Sequence, residues 1–255
     1  MMTQGFDTKP VFDYDAVFDV DDYLYFYGDM LTDERTEAEV TALVQILELT
    51  VPMTILDLAC GFGRHANRLA ALGHQVTGID LMPGFLEIAR RNAAEKGVQV
   101  IYQQGDMRQL SFIEMFDRVM MLFTAFGYFD DEDNLLVLKN VARALKPGGS
   151  LVFDIPNRDV ILNGFLPYIV TEKDQNLMID RNTFDSATGR LYNRRIIIRD
   201  DVRKDKPFFV RIYNPTEISD VLDRAGLGVY KMYGGWDGQQ ISTDSRRMVV
   251  VARKL

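Results

Sequence analysis

A glycine-containing turn with nearby carboxylates is the part of the sequence best suited to holding a reactive ligand. The run from Asp57 to Gly63 reads Asp-Leu-Ala-Cys-Gly-Phe-Gly and follows a short apolar segment. Glycines there let a ligand approach the backbone, and the start of a following helix offers unpaired N–H groups. Asp80 comes 17 residues after Gly63, where a carboxylate can accept hydrogen bonds from both hydroxyls of a ribose. These residues predict a site for a nucleoside-containing ligand.

The acids around the turn favour one class of nucleoside ligand over another. Gly61 to Ala66 reads G-x-G-x-x-A, which also occurs at dinucleotide sites, so a nicotinamide-dependent oxidoreductase is an alternative. Asp57 would repel a pyrophosphate but suits a ligand that carries a cationic amine. Asp106, between Gly105 and Met107, is placed for a polar contact; alternatively it caps the helical segment that follows.

The elements that must position these residues alternate between short apolar runs and amphipathic helices. Runs at 54–58, 75–80, 98–103, 116–123 and 151–154 read as strands with helices between them. This predicts an α/β, Rossmann-like, doubly wound and mostly parallel sheet. Period-2 patterns over residues 168–211 predict an antiparallel insert. Two last strands, at 229–233 and 248–252, predict a C-terminal antiparallel β-hairpin at the sheet edge.

We expect residues 1–255 to form a single domain with four parts. They are an N-terminal appendage or lid (1–40), a core that binds the ligand (41–160), the antiparallel insert (161–211), and the last helix with the hairpin (212–255).

Composition and charge exclude several classes of protein. Hydrophobic residues make up 47% of the chain and charged residues 26%, as in ordinary globular proteins. The net charge is −8, whereas a nucleic-acid binder needs a basic face. Cys60 is the one cysteine, which excludes an internal disulfide and a multi-cysteine metal site. With no signal segment and no long apolar run, we expect a cytoplasmic protein that binds neither metal, membrane nor nucleic acid. Its oligomeric state is left open.

Taken together, the motifs resemble those of class I S-adenosylmethionine-dependent methyltransferases. They follow one another in the order of that family and cover residues 53–155: Asp57-Leu-Ala-Cys-Gly-Phe-Gly63, Asp80, Gly105-Asp106-Met107, Phe116-Asp117 and Leu145-Lys-Pro-Gly-Gly149. Three shorter runs resemble a bacterial group that methylates small molecules: Gly63-Arg64-His65, Phe123-Thr-Ala-Phe-Gly-Tyr-Phe129 and Asp154-Ile-Pro-Asn-Arg-Asp159. The resemblance implies an enzyme that uses S-adenosylmethionine, releases S-adenosylhomocysteine, and methylates N, O or C of a small molecule.

The resemblance also implies roles for individual residues. Asp57 and the turn of Ala59, Cys60, Gly61 and Gly63 would hold the methionine part of the cofactor, and Asp80 its ribose. Leu81 or Met82 would cover one face of the adenine, and Gly105, Asp106 and Met107 would lie at its amine edge. Leu122 and Phe123 would border the sulfonium. Cys60 is interpreted as a small packing residue, since methyl transfer needs no nucleophilic thiol.

The acceptor side is harder to assign, because methyl transfer needs a general base only when the acceptor must lose a proton. Asp154 is a candidate base or acceptor anchor, with structural capping of a loop as the alternative. Candidates for the acceptor pocket are Phe126, Tyr128, Asn157, Arg158, Tyr14 and Tyr27. The run Phe123-Thr-Ala-Phe126 lacks the Asn/Asp-Pro-Pro-aromatic pattern of methyltransferases that flip a nucleic-acid base.

The N-terminal segment is rich in both aromatic residues and aspartates. Rings between residues 11 and 30 would not stay in water, and the carboxylates do not belong in a dry core. We expect this segment to form a lid across the site, with Tyr14 and Tyr27 facing inward. A helix packed elsewhere on the domain is the alternative. Other functions left open are a protein or nucleic-acid methyltransferase and a non-catalytic binder.

Overall fold

The structure, a computed structural model, describes residues 12–255. Residues 1–11, part of the predicted lid, lie outside the described residues. The α-helices are α1 (Tyr14–Val17), α2 (Val20–Tyr27), α3 (Asp33–Ile46), α4 (Arg64–Ala71), α5 (Pro83–Glu95), α6 (Asp131–Ala144), α7 (Arg158–Asn163) and α8 (Pro215–Arg224). The strands are β1 (Thr54–Leu58), β2 (Gln75–Asp80), β3 (Val100–Gln104), β4 (Phe116–Met121), β5 (Leu145–Pro156), β6 (Tyr168–Lys173), β7 (Asn176–Asp185), β8 (Arg190–Arg199), β9 (Val202–Arg211), β10 (Leu227–Tyr233) and β11 (Arg247–Lys254). Short 3-10 helices occupy Gly28–Met30 and Met107–Gln109.

The described chain divides into two compact units. One contains residues 12–28 together with Phe165–Arg211, and the other contains Asp29–Gly164 together with Ile212–Leu255. We call them the small unit and the large unit. No helix within residues 12–255 is long and apolar enough to span a membrane.

The large unit is built on a seven-stranded sheet in the order β10-β11-β5-β4-β1-β2-β3. Strands β1 to β5 are parallel, while β11 pairs antiparallel with both β5 and β10. The apolar residues of β1, β4, β5 and β11 are buried as expected for central strands covered on both faces. The predicted Rossmann-like sheet with its C-terminal hairpin is therefore confirmed.

Two of the strand boundaries that differ from the sequence prediction have a local cause in the backbone. Strand β4 ends at Met121 rather than at residue 123, because Phe123 and Thr124 have left-handed backbones, with φ of 60° and 63°. Strand β5 begins at Leu145 rather than at residue 151. Leu145 pairs with Phe116 and Ser150 with Arg118, so the intervening Lys-Pro-Gly-Gly run is a bulge in the sheet rather than the end of the preceding helix.

The small unit contains the predicted antiparallel insert, a four-stranded sheet in the order β6-β7-β8-β9. Two aromatic residues from the N-terminal segment pack on it: Phe26 contacts Met178 and Ile197, and Phe12 lies 6.1 Å from the Phe208 and Phe209 rings. Two of the rings that were expected to face inward from a lid, Phe12 and Phe26, thus find apolar partners within their own unit. The lid itself stays a prediction.

Ion pairs also hold α2 against this sheet. The Asp22 carboxylate is 2% exposed and accepts hydrogen bonds from Lys206 Nζ at 2.6 Å, Lys204 Nζ at 2.8 Å and Arg199 Nη1 at 3.2 Å. Burial acts to raise the pKa of Asp22, but the lysine contacts outweigh it and lower the pKa to about 2. The ionised carboxylate therefore stabilises the folded small unit.

We expect Asp22→Asn to destabilise the protein by about 3–5 kcal/mol, because it leaves the buried Lys206 ammonium without its counter-charge. Because the folded pKa is lowered, this stabilisation is present above pH ~4 and is lost as the pH falls toward 2. Urea unfolding at pH 7 measures the loss. Asp21→Asn, at the exposed neighbouring position on α2, is the control and should change stability by less than about 0.5 kcal/mol. Equal stability of the two variants would contradict the prediction.

Candidate active site

The candidate site lies at the carboxyl edge of the parallel strands in the large unit. Asp57 is in β1 and pairs in register with Gly78 of β2, and Asp80 ends β2. The turn from Ala59 to Gly63 connects β1 to α4, with positive φ at Ala59, Gly61 and Gly63. Open α/β sheets bind their ligands at this edge, where the strand order reverses. The topology therefore places the predicted cofactor residues of β1 and β2 side by side.

Asp57 is a buried acid with unused hydrogen-bonding capacity. The residue is 2% exposed, and its Oδ2 has no hydrogen-bond partner among the described residues. Burial, with Asp80 as a second cause, raises the pKa of Asp57 to about 7. A buried carboxylate in this state is costly without a cation. The site is therefore suited to a ligand that brings a positively charged group.

The Asp80 carboxylate holds the backbone of the turn through hydrogen bonds. Gly61 N–H donates to Asp80 Oδ2 at 2.7 Å, and Met82 N–H donates to Oδ1 at 2.9 Å. Burial raises the pKa of Asp80, and these N–H contacts oppose the rise. The side chain is thereby held at the end of β2. Its neighbours differ in exposure, since Met82 is buried and Leu81 is exposed.

Gly63 of the turn and Gly78 of β2 are both required by a tyrosine that packs against them. A Cβ at Gly63 would lie 2.1 Å from Tyr102 Oη, and one at Gly78 would lie 2.6 Å from Tyr102 Cε1. The Tyr102 hydroxyl donates to Asn67 Oδ1 at 2.7 Å, which fixes the ring. A Cβ at Gly61, by contrast, would meet no described heavy atom within 4 Å. The turn is therefore closely supported from below and open at Gly61.

Asp106 caps the 3-10 helix at Met107–Gln109, as the alternative interpretation expected. Its Oδ1 accepts the Arg108 N–H at 2.8 Å, and its Oδ2 pairs with Arg108 Nη2 at 2.6 Å. Burial acts to raise the pKa of Asp106, but Arg108 outweighs it and the pKa is lowered. Gly105 N–H donates to the Asp80 carbonyl at 3.0 Å, so the ends of β2 and β3 are joined.

Asp154 is a structural acceptor near the carboxyl end of β5. Its Oδ1 accepts the Phe123 N–H at 2.6 Å, and its carboxylate forms an ion pair with Arg247. Arg247 Nη2 also donates to Thr124 Oγ1 at 2.7 Å. Burial raises the pKa of Asp154, while Arg247 and the Phe123 N–H oppose the rise. These contacts cap the loop after β4, which was the alternative to a role as general base.

Comparison with known proteins agrees with this architecture. Residues 55–149 match the family model described as a methyltransferase domain. The chain is 27% identical over 212 residues to the dTDP-4-amino-2,3,4,6-tetradeoxy-D-glucose N,N-dimethyltransferase of Saccharopolyspora spinosa, covering 79% of this chain and 83% of that protein. The solved CcbJ methyltransferase from Streptomyces caelestis matches with a TM-score of 0.76 at 21% identity, over 91% of this chain and 96% of the other. A sugar N-methyltransferase from a Streptoalloteichus species matches with a TM-score of 0.71 at 20% identity, over 100% of this chain and 99% of the other.

The chain is similar to S-adenosylmethionine-dependent methyltransferases, and residues 55–149 match a methyltransferase domain. Its residues fit that cofactor on two observations made above. The unpaired Asp57 oxygen calls for a cation, and S-adenosylmethionine carries an α-ammonium group. The open space at Gly61 lets a ligand approach the turn, as a cofactor lying along the edge of the sheet requires.

Several predicted acceptor-side residues of the methyltransferase are engaged in packing or in ion pairs. Phe126 is 1% exposed and stacks at 5.7 Å on Tyr213. Asn157 caps α7 and donates from Nδ2 to the Ser245 carbonyl at 3.0 Å. Arg158 pairs with Glu217 at 2.7 Å. The structure thus gives these three residues structural contacts, and their pocket role stays a prediction.

The remaining aromatic candidates are divided between the two units. Tyr128 follows Phe126 in the loop after β4 and is half-buried. Tyr14 and Tyr27 belong to the small unit, where Tyr14 stacks on Phe12 at 4.2 Å. Tyr27 contacts the Arg195 guanidinium, and burial raises the pKa of the Tyr27 hydroxyl.

Cys60 and His65 lie beside the turn but are not suited to proton transfer. Burial raises the pKa of the Cys60 thiol, which supports its interpretation as a packing residue. Burial lowers the pKa of His65 to about 4, although His65 Nε2 lies 2.9 Å from Glu39 Oε2. At neutral pH the imidazole is therefore uncharged and serves to hold Glu39 of α3.

Sequence reasoning did not single out Tyr102, Glu39 or Arg247 as part of this site. Glu39 receives hydrogen bonds from Arg35 Nε at 2.9 Å and from Arg64, and it lies in a helix without a motif. A signal for Tyr102 was present: Gly78 lies inside a strand, and such a glycine often marks close approach of another group.

Proposed function

We propose that the protein transfers a methyl group from S-adenosylmethionine to the amino group of a small molecule, of the class of nucleotide-linked amino sugars. The observation that carries the cofactor assignment is the buried, unpaired oxygen of Asp57 beside an open glycine turn. The acceptor class is supported by the activities of the similar Saccharopolyspora dimethyltransferase and Streptoalloteichus sugar N-methyltransferase.

Each cofactor residue takes a role that suits its contacts. Asp57 would pair with the α-ammonium group, and the backbone of Ala59 to Gly63, with Cys60 packed beneath, would follow the amino-acid chain. Asp80 would accept hydrogen bonds from the ribose while still holding the Gly61 and Met82 N–H groups. Leu81, Met82, Gly105, Asp106 and Met107 would surround the adenine. Leu122 and Phe123 would border the reacting sulfonium.

The chemistry asks little of the protein beyond positioning. When bound, S-adenosylmethionine supplies an electrophilic methyl group that a neutral amine can take up in one in-line displacement. An amine acceptor carries its own lone pair, so a general base is not required for attack. This agrees with Asp154 and His65, the two candidate proton acceptors, whose side chains are occupied by structural contacts.

We expect tight binding of S-adenosylhomocysteine to the ligand-free protein, because the acidic pair Asp57 and Asp80 and the open turn are already in place. Isothermal titration calorimetry measures the affinity directly. Reduced nicotinamide dinucleotide is the matched control and should give no heat, since its pyrophosphate would meet the Asp57 carboxylate. Heat with the dinucleotide alone would contradict the cofactor assignment.

The acceptor class is tested by a matched pair of substrates. The purified protein is incubated with S-adenosylmethionine and either a dTDP-linked 4-amino sugar or the 4-hydroxy sugar of the same ring, and the products are weighed by mass spectrometry. Methylation of the amine and not of the alcohol is expected. Methylation of the alcohol alone would show that the acceptor class is wrong while leaving the methyl transfer itself intact.

A further inference from the structure

Phe123 and Thr124 form an unusual strained segment in the large unit. Both residues have left-handed backbones, with φ of 60° and 63°. A left-handed conformation costs a non-glycine residue roughly 1–2 kcal/mol, and it is least favourable for β-branched residues such as threonine. Such strain persists only where the surrounding structure imposes it.

Two other consecutive left-handed pairs in the described chain have an ordinary explanation. Asp174-Gln175 and Asp200-Asp201 are the two-residue loops of the β6–β7 and β8–β9 hairpins. Such loops favour positive φ at both positions, because that twist matches the twist of the strands. Phe123-Thr124 joins β4 to the loop before α6. No hairpin requires its conformation, so side-chain contacts must hold it.

The contacts that hold it converge from four elements. Asp154 of β5 accepts the Phe123 N–H at 2.6 Å, and Arg247 of β11 donates to Thr124 Oγ1 at 2.7 Å. Arg247 and Asp154 also pair with each other. On the ring side, the Arg35 and Arg64 guanidiniums lie 5.4 Å and 5.8 Å from the Phe123 ring centroid. Strand β11 brings Arg247 to this point because Val249 pairs in register with Asp154.

We infer that Asp154 and Arg247 are positioning residues for methyl transfer, holding the Phe123-Thr124 backbone as a rigid wall at the end of β4. This rests on the proposed function, in which Phe123 borders the reacting sulfonium. The two residues act through the backbone and not on the acceptor. A displacement of this backbone by 1 Å can slow a positioned reaction roughly a hundredfold. The contacts that impose the strained conformation would prevent such a displacement.

The test uses Asp154→Asn in the full chain. Asparagine has a single acceptor oxygen, which can face either the Phe123 N–H or Arg247. It cannot accept from both partners, as the two oxygens of the carboxylate do. We expect kcat to fall about tenfold or more, while the affinity for S-adenosylhomocysteine and the acceptor KM change less than about threefold. Amide hydrogen exchange at Phe123 should become faster. Arg247→Met should give the same pattern.

The decisive step is rescue by glycine. Thr124→Gly in the Asp154→Asn background removes the conformational cost at φ 63° and should restore most of the lost kcat and much of the protection at Phe123. The control is Asp201→Gly in the same background, because Asp201 has φ 62° in a hairpin of the small unit. It introduces glycine at a non-glycine position of nearly the same φ, away from the Phe123-Thr124 segment, and should restore nothing.

Two outcomes would overturn the inference. If kcat stays at the wild-type value while Phe123 exchanges faster, the turn does not position the reaction. If kcat falls and Thr124→Gly does not recover it, Asp154 acts on the acceptor directly. Rates are measured on whichever acceptor the wild-type protein methylates, found by labelled-methyl transfer to a cell extract. If the acceptor proves not to be an amino sugar, the kcat values of the wild-type protein and the variants can therefore still be compared.

Discussion

Replacing Asp57 by asparagine is expected to stabilise the ligand-free protein while it removes most of the cofactor affinity. The pKa of Asp57 is raised to about 7 by burial, well above its ordinary value. Because the folded state holds this proton more tightly than the unfolded state, wild-type stability falls as the pH rises from about 4 to 7. Asparagine removes that dependence. The expected gain at pH 8 is about 1–3 kcal/mol, after the cost of an unpaired buried amide.

The loss of cofactor affinity has a separate cause. The amide cannot offer a charge to the α-ammonium group, and removing one partner of a buried ion pair costs about 3–5 kcal/mol. S-Adenosylhomocysteine should therefore bind more than about a hundredfold more weakly. The affinity for 5′-methylthioadenosine, which lacks the amino-acid part, should be nearly unchanged. Calorimetry with both ligands, and urea unfolding at pH 5 and pH 8, measure the two effects.

Asp117→Asn is the matched control for both effects. Asp117 lies near the amino end of β4, where its Oδ2 accepts the Thr54 N–H at 2.9 Å and its Oδ1 pairs with Lys146 at 2.9 Å. Burial acts to raise the pKa of Asp117, but the contacts from Thr54 and Lys146 lower it to about 2. This variant should lose stability at neutral pH and keep its cofactor affinity. An Asp57→Asn variant that behaved in the same way would refute the role given to Asp57.

Asp80→Ala is expected to have the second largest effect, with a different signature. It should weaken S-adenosylhomocysteine by roughly 2–3 kcal/mol, as loss of a charged acceptor of hydroxyl groups would. Since the ribose is common to both ligands, 5′-methylthioadenosine should weaken by a similar factor. The variant also leaves the Gly61 and Met82 N–H groups without their acceptor, so the melting temperature should fall.

The pair of ligands separates the two roles at the turn. Asp80→Ala should weaken the binding of both ligands, whereas Asp57→Asn should weaken only the binding of S-adenosylhomocysteine. That result would place the ribose at β2 and the ammonium group at β1. Calorimetry supplies the four affinities, with Asp117→Ala as the control for a lost aspartate at the opposite edge. Unchanged affinity for 5′-methylthioadenosine in Asp80→Ala would show that Asp80 is not the ribose ligand.

Local patterns were enough to predict the architecture of the large unit. Apolar runs and amphipathic helices differ in period, so their alternation indicates βαβ units before any contact is known. The carboxyl ends of parallel strands share one edge, and this brings Asp57 next to Asp80 from their places in the sequence alone. The glycine turn could be predicted from the sequence because glycine adopts a left-handed backbone without steric cost.

Only the tertiary structure decided which side chains support that edge. Arg247 reaches Thr124 across 123 positions of sequence, and Tyr102 lies under Gly63 because β3 pairs with β2 in one particular register. The N-terminal aromatic residues could be seen to need burial, but their partners on the antiparallel sheet could not be named. Pairings of this kind depend on register and on the order of strands in a sheet. A single sequence carries no local signal for either, since each contact is made between segments whose own patterns are unchanged by the partner they meet.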